Sequence, residues 1–304
     1  MNIKRFIPFI LTMVAWLANT PLFAGDTLCS TDANGAITST QSCNMQPDEY
    51  TINVFKVRLF TSDPGAPTAS SAISTANSVL LFESSDATNG TQIKVIKGQP
   101  TTLTGTLRPP NGTYTYAYVE LKPQIQVKAT EKFSRNMYAN DNAKDGNSNF
   151  IAANTSCWSK GINVFNWGNP PFNTIGWGAF PNPGTTIKKI NSLSSSAAQY
   201  SGTFATSWGD TETAYLVDSN GYLGANATAG TMGTITRIIA IIPQSITVTS
   251  ATASMDVAFN VGLGVNIRME PYTGTKNAGD LPNPAPMAIY YFGGGPFEVK
   301  ITVQ

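Results

Sequence analysis

The sequence predicts an all-β protein: an antiparallel β-sandwich carrying a long aromatic-rich insertion. Three observations point there. Residues 112–130 hold the longest strand-like run, in which Tyr114, Tyr116 and Tyr118 alternate with Thr115, Ala117, Val119 and Leu121. That is a period of two in aromatic and β-branched residues. Residues 255–269 repeat the pattern near the other end. Met255, Val257, Phe259, Val261, Leu263, Val265 and Ile267 are placed on one side, and Asp256, Asn260, Asn266 and Arg268 on the other. Finally, Gly, Asn, Thr and Ser are plentiful and only 12% of residues are charged, a composition of short strands joined by many turns.

Residues 1–24 have the form of an export signal. Lys4 and Arg5 precede an apolar run from Phe6 to Ala18, and Leu22-Phe23-Ala24 offers a cleavage site, with bulky Leu22 leaving its position open. The run is interrupted by Pro8 and is shorter than the ~20 residues of a membrane helix. The mature chain, without a transmembrane helix, is therefore expected in the periplasm, at the outer membrane surface or outside the cell. Residues 25–49 are polar and loop-like. Here Cys29 and Cys43 are expected to pair, closing a short loop worth roughly 3 kcal/mol in the chain-entropy model. Cys157 would then be free and buried, or available to a second chain.

Residues 50–132 read as the first part of the sandwich. In residues 50–60, Tyr50, Ile52, Val54 and Lys56 are placed on one face and Phe55, Val57 and Leu59 on the other. Strands follow at 78–82 and 92–96, and the turn Pro109-Pro110-Asn111-Gly112 feeds the long run. Pro123 lacks an amide donor and marks a bend, bulge or edge. The three tyrosines read either as a ligand platform or, more simply, as a cross-strand aromatic ladder facing the core.

Residues 133–232 differ in texture and read as an insertion between sandwich strands or a small subdomain. They hold Trp158, Trp167, Trp177 and Trp208, every tryptophan outside the export signal, with Phe165, Phe172 and Phe180 among Gly and Pro. Residues 233–304 read as the second part of the sandwich. An apolar strand at 234–242 is stopped by Pro243, and Gly262 and Gly264 imply a bend or close backbone approach. Two last strands flank Gly293-Gly294-Gly295.

A family resemblance rests on three features: the spacing of Tyr50, Val54, Val57 and Leu59; the turn Pro110-Asn111-Gly112-Thr113-Tyr114; and residues 245–259, SITVTSATASMDVAF. The chain resembles secreted bacterial β-sandwich proteins of uncharacterised function in which such a turn feeds a long strand. More loosely, it is similar to transthyretin-like and prealbumin-like domains, whose last strand pair residues 245–259 resemble. The resemblance implies a sandwich fold and an exported location, and it carries over no catalytic residue.

Several function classes recede on chemistry. Without the signal, 17 basic residues face 18 acids, and a near-neutral surface offers no electrostatic basis for nucleic-acid binding. The chain has no histidine, which removes the commonest general base and His-held metals. Asp210 and Glu212 could form a glycosidase pair, but two acids in a polar loop are usually just solvated. Asp141, Asp145, Asn147 and Asn149 suggest a calcium loop, yet Ala152 stands where that loop needs Glu; Asp218-Ser219-Asn220-Gly221 is similarly short. No catalytic residue, metal or cofactor is assigned. The expected activity is non-catalytic adhesion, assembly or binding at an envelope or surface, including self-assembly. The first alternative is a carbohydrate-binding module using Trp158, Trp167, Trp177 and Trp208, since exposed indoles stack on sugar faces; against it, such rings often form a satellite core. An outer-membrane β-barrel is a further alternative.

Overall fold

A computed structural model of the chain describes residues 11–13, 27–97, 101–102, 108–139, 150–168, 175–206, 209–252, 254–272 and 287–303. Among the described residues every regular element is a strand, and pairing is mostly antiparallel. The fold is all-β and sandwich-like, as expected. No helix among them is long and apolar enough to cross a membrane.

Glu49–Phe60 is the central strand of the larger sheet. One of its edges pairs with Gly112–Leu121 and then, past Pro123, with Gln124–Lys128. The other edge pairs with Ser78–Glu83 and Thr91–Ile96. The sheet forks at Pro123. From Gly112–Leu121 it extends to Arg237–Val248, Thr211–Val217 and Ser201–Ala205, and from Gln124–Lys128 to Thr186–Lys189 and Asn163–Phe165. At the fork the Gln124 N–H donates to the Lys122 carbonyl at 2.7 Å. This tight turn needs no amide hydrogen from Pro123, so the proline is tolerated where two strand directions part.

Three smaller sheets complete the fold. Met255–Asn260 pairs with Glu298–Val303, and its other edge takes Leu11–Met13 followed by Thr101–Thr102. A second sheet runs Phe150–Ile151, Met137–Ala139, Met287–Gly294, Val265–Pro271 and Cys43–Met45. The third consists of Thr130–Lys132, Ser156–Ser159 and Ile175–Gly178. One hydrophobic core takes side chains from all four sheets, among them Ile52, Val127, Cys157, Ile175, Val257, Phe259, Ile267, Phe292 and Ile301. Residues 133–232, inserted between the two groups of strands in sequence, contribute to that same core through Cys157, Ile175, Ile190 and Leu216. The Cys29–Cys43 disulfide forms, and Cys43 pairs with Ile267, which ties the N-terminal loop to the second sheet.

Alternation located the strands but misplaced several faces. Tyr50, Ile52, Val54, Val57 and Leu59 all enter the main core, while Lys56 is half-exposed. The register shifts between Val54 and Lys56. One extra residue at a bulge resets the parity of the strand, so even positions face inward before it and odd positions after it. Phe55 is buried on the opposite face, under the Arg237 guanidinium at 3.7 Å.

The tyrosines of Gly112–Leu121 divide as well. Tyr114 joins the main core, whereas Tyr116 and Tyr118 pack on the other face with Phe60, Val217, Ile239, Ile241 and Ile73 from the 61–77 loop. The central sheet is thus covered on both faces there. Pro243 does not end its strand: Arg237–Val248 runs through it, with the register shifting between Pro243 and Ile246. A bulge is where a residue without a donor costs least. Residues 245–259 hold the end of this strand and then Met255–Asn260, which lies in a different sheet. Asp256 and Asn260, expected to face outward, are buried, and the Asn260 side chain donates to Glu298 Oε2 at 2.8 Å.

The chain turns a corner at residues 261–264. A Cβ built on Gly264 would lie 2.8 Å from the Tyr50 ring, whose hydroxyl donates to the Gly295 carbonyl at 3.1 Å. Replacing Tyr50 by Phe should cost about 1 kcal/mol, the net worth of one buried hydrogen bond. Gly264→Ala should cost more, roughly 1–3 kcal/mol, as an overpacked core position does. Urea midpoints of the two variants check the order, and an unshifted midpoint for Gly264→Ala would remove this contact as a constraint.

Candidate functional site

The three-stranded sheet carries two of the predicted tryptophans, Trp158 and Trp177, both half-buried. Successive side chains of a strand point to opposite faces. In Ser156–Ser159, Cys157 faces the core and Trp158 faces away; across the ladder, Cys157 opposes Trp177 and Trp158 opposes Gly176. A Cβ built on Gly176 would come within 2.0 Å of Trp158 Nε1, and one built on Gly178 would lie 3.7 Å from its Cη2. The indole therefore lies along the neighbouring backbone from one glycine to the next, filling the space where side chains would stand. It is half-buried, with its far face turned from the strand.

The chain leaving Gly178 carries Phe180, which is 89% exposed. Pro181 and Pro183 restrict the backbone of this loop. Its base is pinned by the Gly184 N–H donating to the Ser159 carbonyl at 2.8 Å and the Ser159 hydroxyl donating to the Gly184 carbonyl at 2.7 Å. A large exposed ring is thus mounted on a braced support.

The other predicted tryptophans fall elsewhere. Trp177 packs against the main core, on the opposite face from Trp158. Trp167 is half-buried beside the 189–191 segment, and Trp208 lies outside the described residues. The backbone of Trp167 is gripped by Asn191: its Oδ1 accepts the Trp167 N–H at 2.9 Å, and its Nδ2 lies 2.9–3.1 Å from the carbonyls of Trp167, Thr228 and Thr231. Nearby, Lys189 sits over the Phe165 ring at 5.3 Å. The three described indoles do not share one platform; Trp158 stands on the outer face of the small sheet, and Phe180 in the loop after it is exposed. Asn191 and Ser159, both fully buried, were not singled out from sequence. Among so many Asn and Ser residues, no local pattern separates a buried clamp from a turn residue.

The acidic candidate Glu212 serves the framework. Glu212 Oε1 accepts the Val299 N–H at 3.1 Å and Gln244 Oε1 accepts that of Ile301 at 3.0 Å. Two side chains of the larger sheet thereby cap the edge of Glu298–Val303 that has no strand beside it among the described residues. Burial, with Glu298 and Asp210 nearby, pushes the Glu212 carboxyl up to about 8. Burial likewise raises Glu131 to about 7 and the free Cys157 thiol to about 12. The 141–149 calcium candidate lies outside the described residues. Asp218 Oδ1 accepts the N–H groups of Asn220 and Tyr222 at 2.8 and 3.0 Å, which is ordinary Asx-turn chemistry.

Glu131 and Glu212 hold their protons more tightly in the folded protein than at the unfolded value of 4.5. Their contribution to stability is complete below pH ~4.5 and is lost as pH rises through 7 and 8, by up to about 1.4 kcal/mol per pH unit for each group. Denaturant midpoints between pH 5 and 8 should fall accordingly. Glu212→Gln keeps an acceptor for Val299 but cannot ionise, so it should flatten part of the slope; an unchanged slope would rule out Glu212 as its source.

No family model, curated protein or solved structure matches the chain.

Proposed function

We propose that this chain is an exported, non-catalytic surface or envelope protein that works by binding, with glycan as the ligand and the Trp158–Phe180 edge as the contact surface. The observation that supports this reading is the mounting of Trp158. An indole laid flat on two glycines offers one broad apolar face at little entropic cost, because its rotamer is already fixed by the strand beneath it. Sugar rings present flat faces of axial C–H groups that fit such a surface. Phe180 extends the apolar edge into solvent. The disulfide is compatible with an oxidising compartment.

The test is retention of the mature protein on a panel of polysaccharides. Trp158→Ala and Phe180→Ser should each weaken retention about tenfold, equivalent to ~1.4 kcal/mol, while Trp167→Ala should change it little. Retention unaffected by Trp158→Ala would end the glycan reading.

A second reading, self-assembly, draws on Leu11–Met13, which lies in the expected export signal and occupies the edge of Met255–Asn260. Cleavage would expose that edge to another strand. The processed chain should then associate more strongly than the uncleaved one in sedimentation; equal association would exclude strand exchange at this edge.

A further inference from the structure

The fork of the larger sheet at Pro123 opens a cavity of about 540 Å³. Its walls come from the 87–89 turn, the Lys122-Pro123-Gln124 bend, Lys189 and residues 232–237. We propose that this cleft is an oxyanion-binding site, taking a carboxylate, sulfate or phosphate group through Lys122, Lys189 and Arg237.

Charge and hydrogen bonding both support the assignment. Three cationic side chains line the cleft, and no carboxylate does so among the described residues. Arg237 is fixed in place: it lies over Phe55 at 3.7 Å, its Nε is 3.3 Å from Glu120, and it donates to the Ala87 carbonyl at 2.8 Å. Glu120 therefore offsets the guanidinium charge and Asp86 faces Lys122, so Lys189 provides the surplus. Lys122 donates to Asn89 Oδ1 at 3.0 Å, which uses one of its three ammonium hydrogens. Lys189 rests on Phe165 through its cation–π contact, and its ammonium group makes no hydrogen bond or ion pair among the described residues. The neighbouring acid, Asp86, lies outside the lining and accepts the N–H groups of Thr88 and Asn89 and the Asn89 side chain, which keep it ionised.

The site is separate from the Trp158 edge, so its test does not depend on the glycan reading. Mature protein is titrated at low ionic strength with inorganic phosphate, sodium sulfate and glucuronate, and binding is followed by calorimetry. At least one should bind saturably at one site. Lys122→Gln combined with Lys189→Gln should weaken that binding at least tenfold, with Trp158→Ala without effect. Denaturant midpoints confirm that the variants fold. Glucuronate bound in preference to the inorganic ions would mark a sugar acid as the ligand; the reverse order would mark a free or esterified oxyanion. Failure of all three to bind at millimolar concentration, or binding indifferent to the paired lysine substitution, would overturn the proposal.

Discussion

Tyr50 is the point at which strands from opposite ends of the chain are locked together. Its ring is fully buried, lies against Gly264 and sits 6.0 Å from Phe297, while its hydroxyl reaches the Gly295 carbonyl. A tyrosine can occupy a core only if its hydroxyl finds an acceptor, and here the acceptor belongs to the connection between the last two strands. Glycine at 264 and 295 is required by the same contact system: a Cβ at 264 would strike the ring, and one at 295 would strike the Leu263 carbonyl at 2.1 Å. The packing of the larger sheet on the C-terminal strands therefore depends on backbone approaching side chain at van der Waals distance.

This dependence explains which parts of the fold could be read from sequence. The strands at 49–60, 112–128, 255–271 and 287–303 were legible because apolar residues recur at every second position. The close approach at Gly264 was legible because a glycine inside a strand pattern has few other uses. The faces were less legible. A bulge adds one residue without any compositional mark, and the bulge after Val54 puts Val57 and Leu59 on the same side as Tyr50 and Ile52. The same limit applies to Pro243, where the local preference to stop was outweighed by cross-strand pairing on either side of the irregularity.

The middle of the chain shows a different limit. Its aromatic residues announced themselves, but aromatic content alone did not say which rings would be buried. The deciding groups are polar. Asn191 joins the Trp167 backbone to the 228–231 turn, and Ser159 joins a strand of the small sheet to Gly184. Such contacts specify geometry because leaving any of these buried groups unpaired costs about 1–3 kcal/mol. Residues that look interchangeable in the sequence are therefore far from interchangeable in the fold.

Both surfaces assigned a binding role follow from the bend at Pro123. Had the long strand continued straight, the sheet would have stayed one continuous surface, with no gap between its arms. The bend sends one arm toward Arg237–Val248 and the other toward Thr186–Lys189. The space between them becomes the cationic cleft. Beyond the second arm the chain continues into Thr130–Lys132, which pairs with the strand that carries Trp158. A proline that could not serve the ladder thus parts two arms, each of which sends alternate side chains into the core. Trp177 and Trp158 illustrate the division at single-residue scale. Neighbouring strands, the same residue type and opposite pleat give one ring that packs on the interior and one that lies on the outer face of the small sheet.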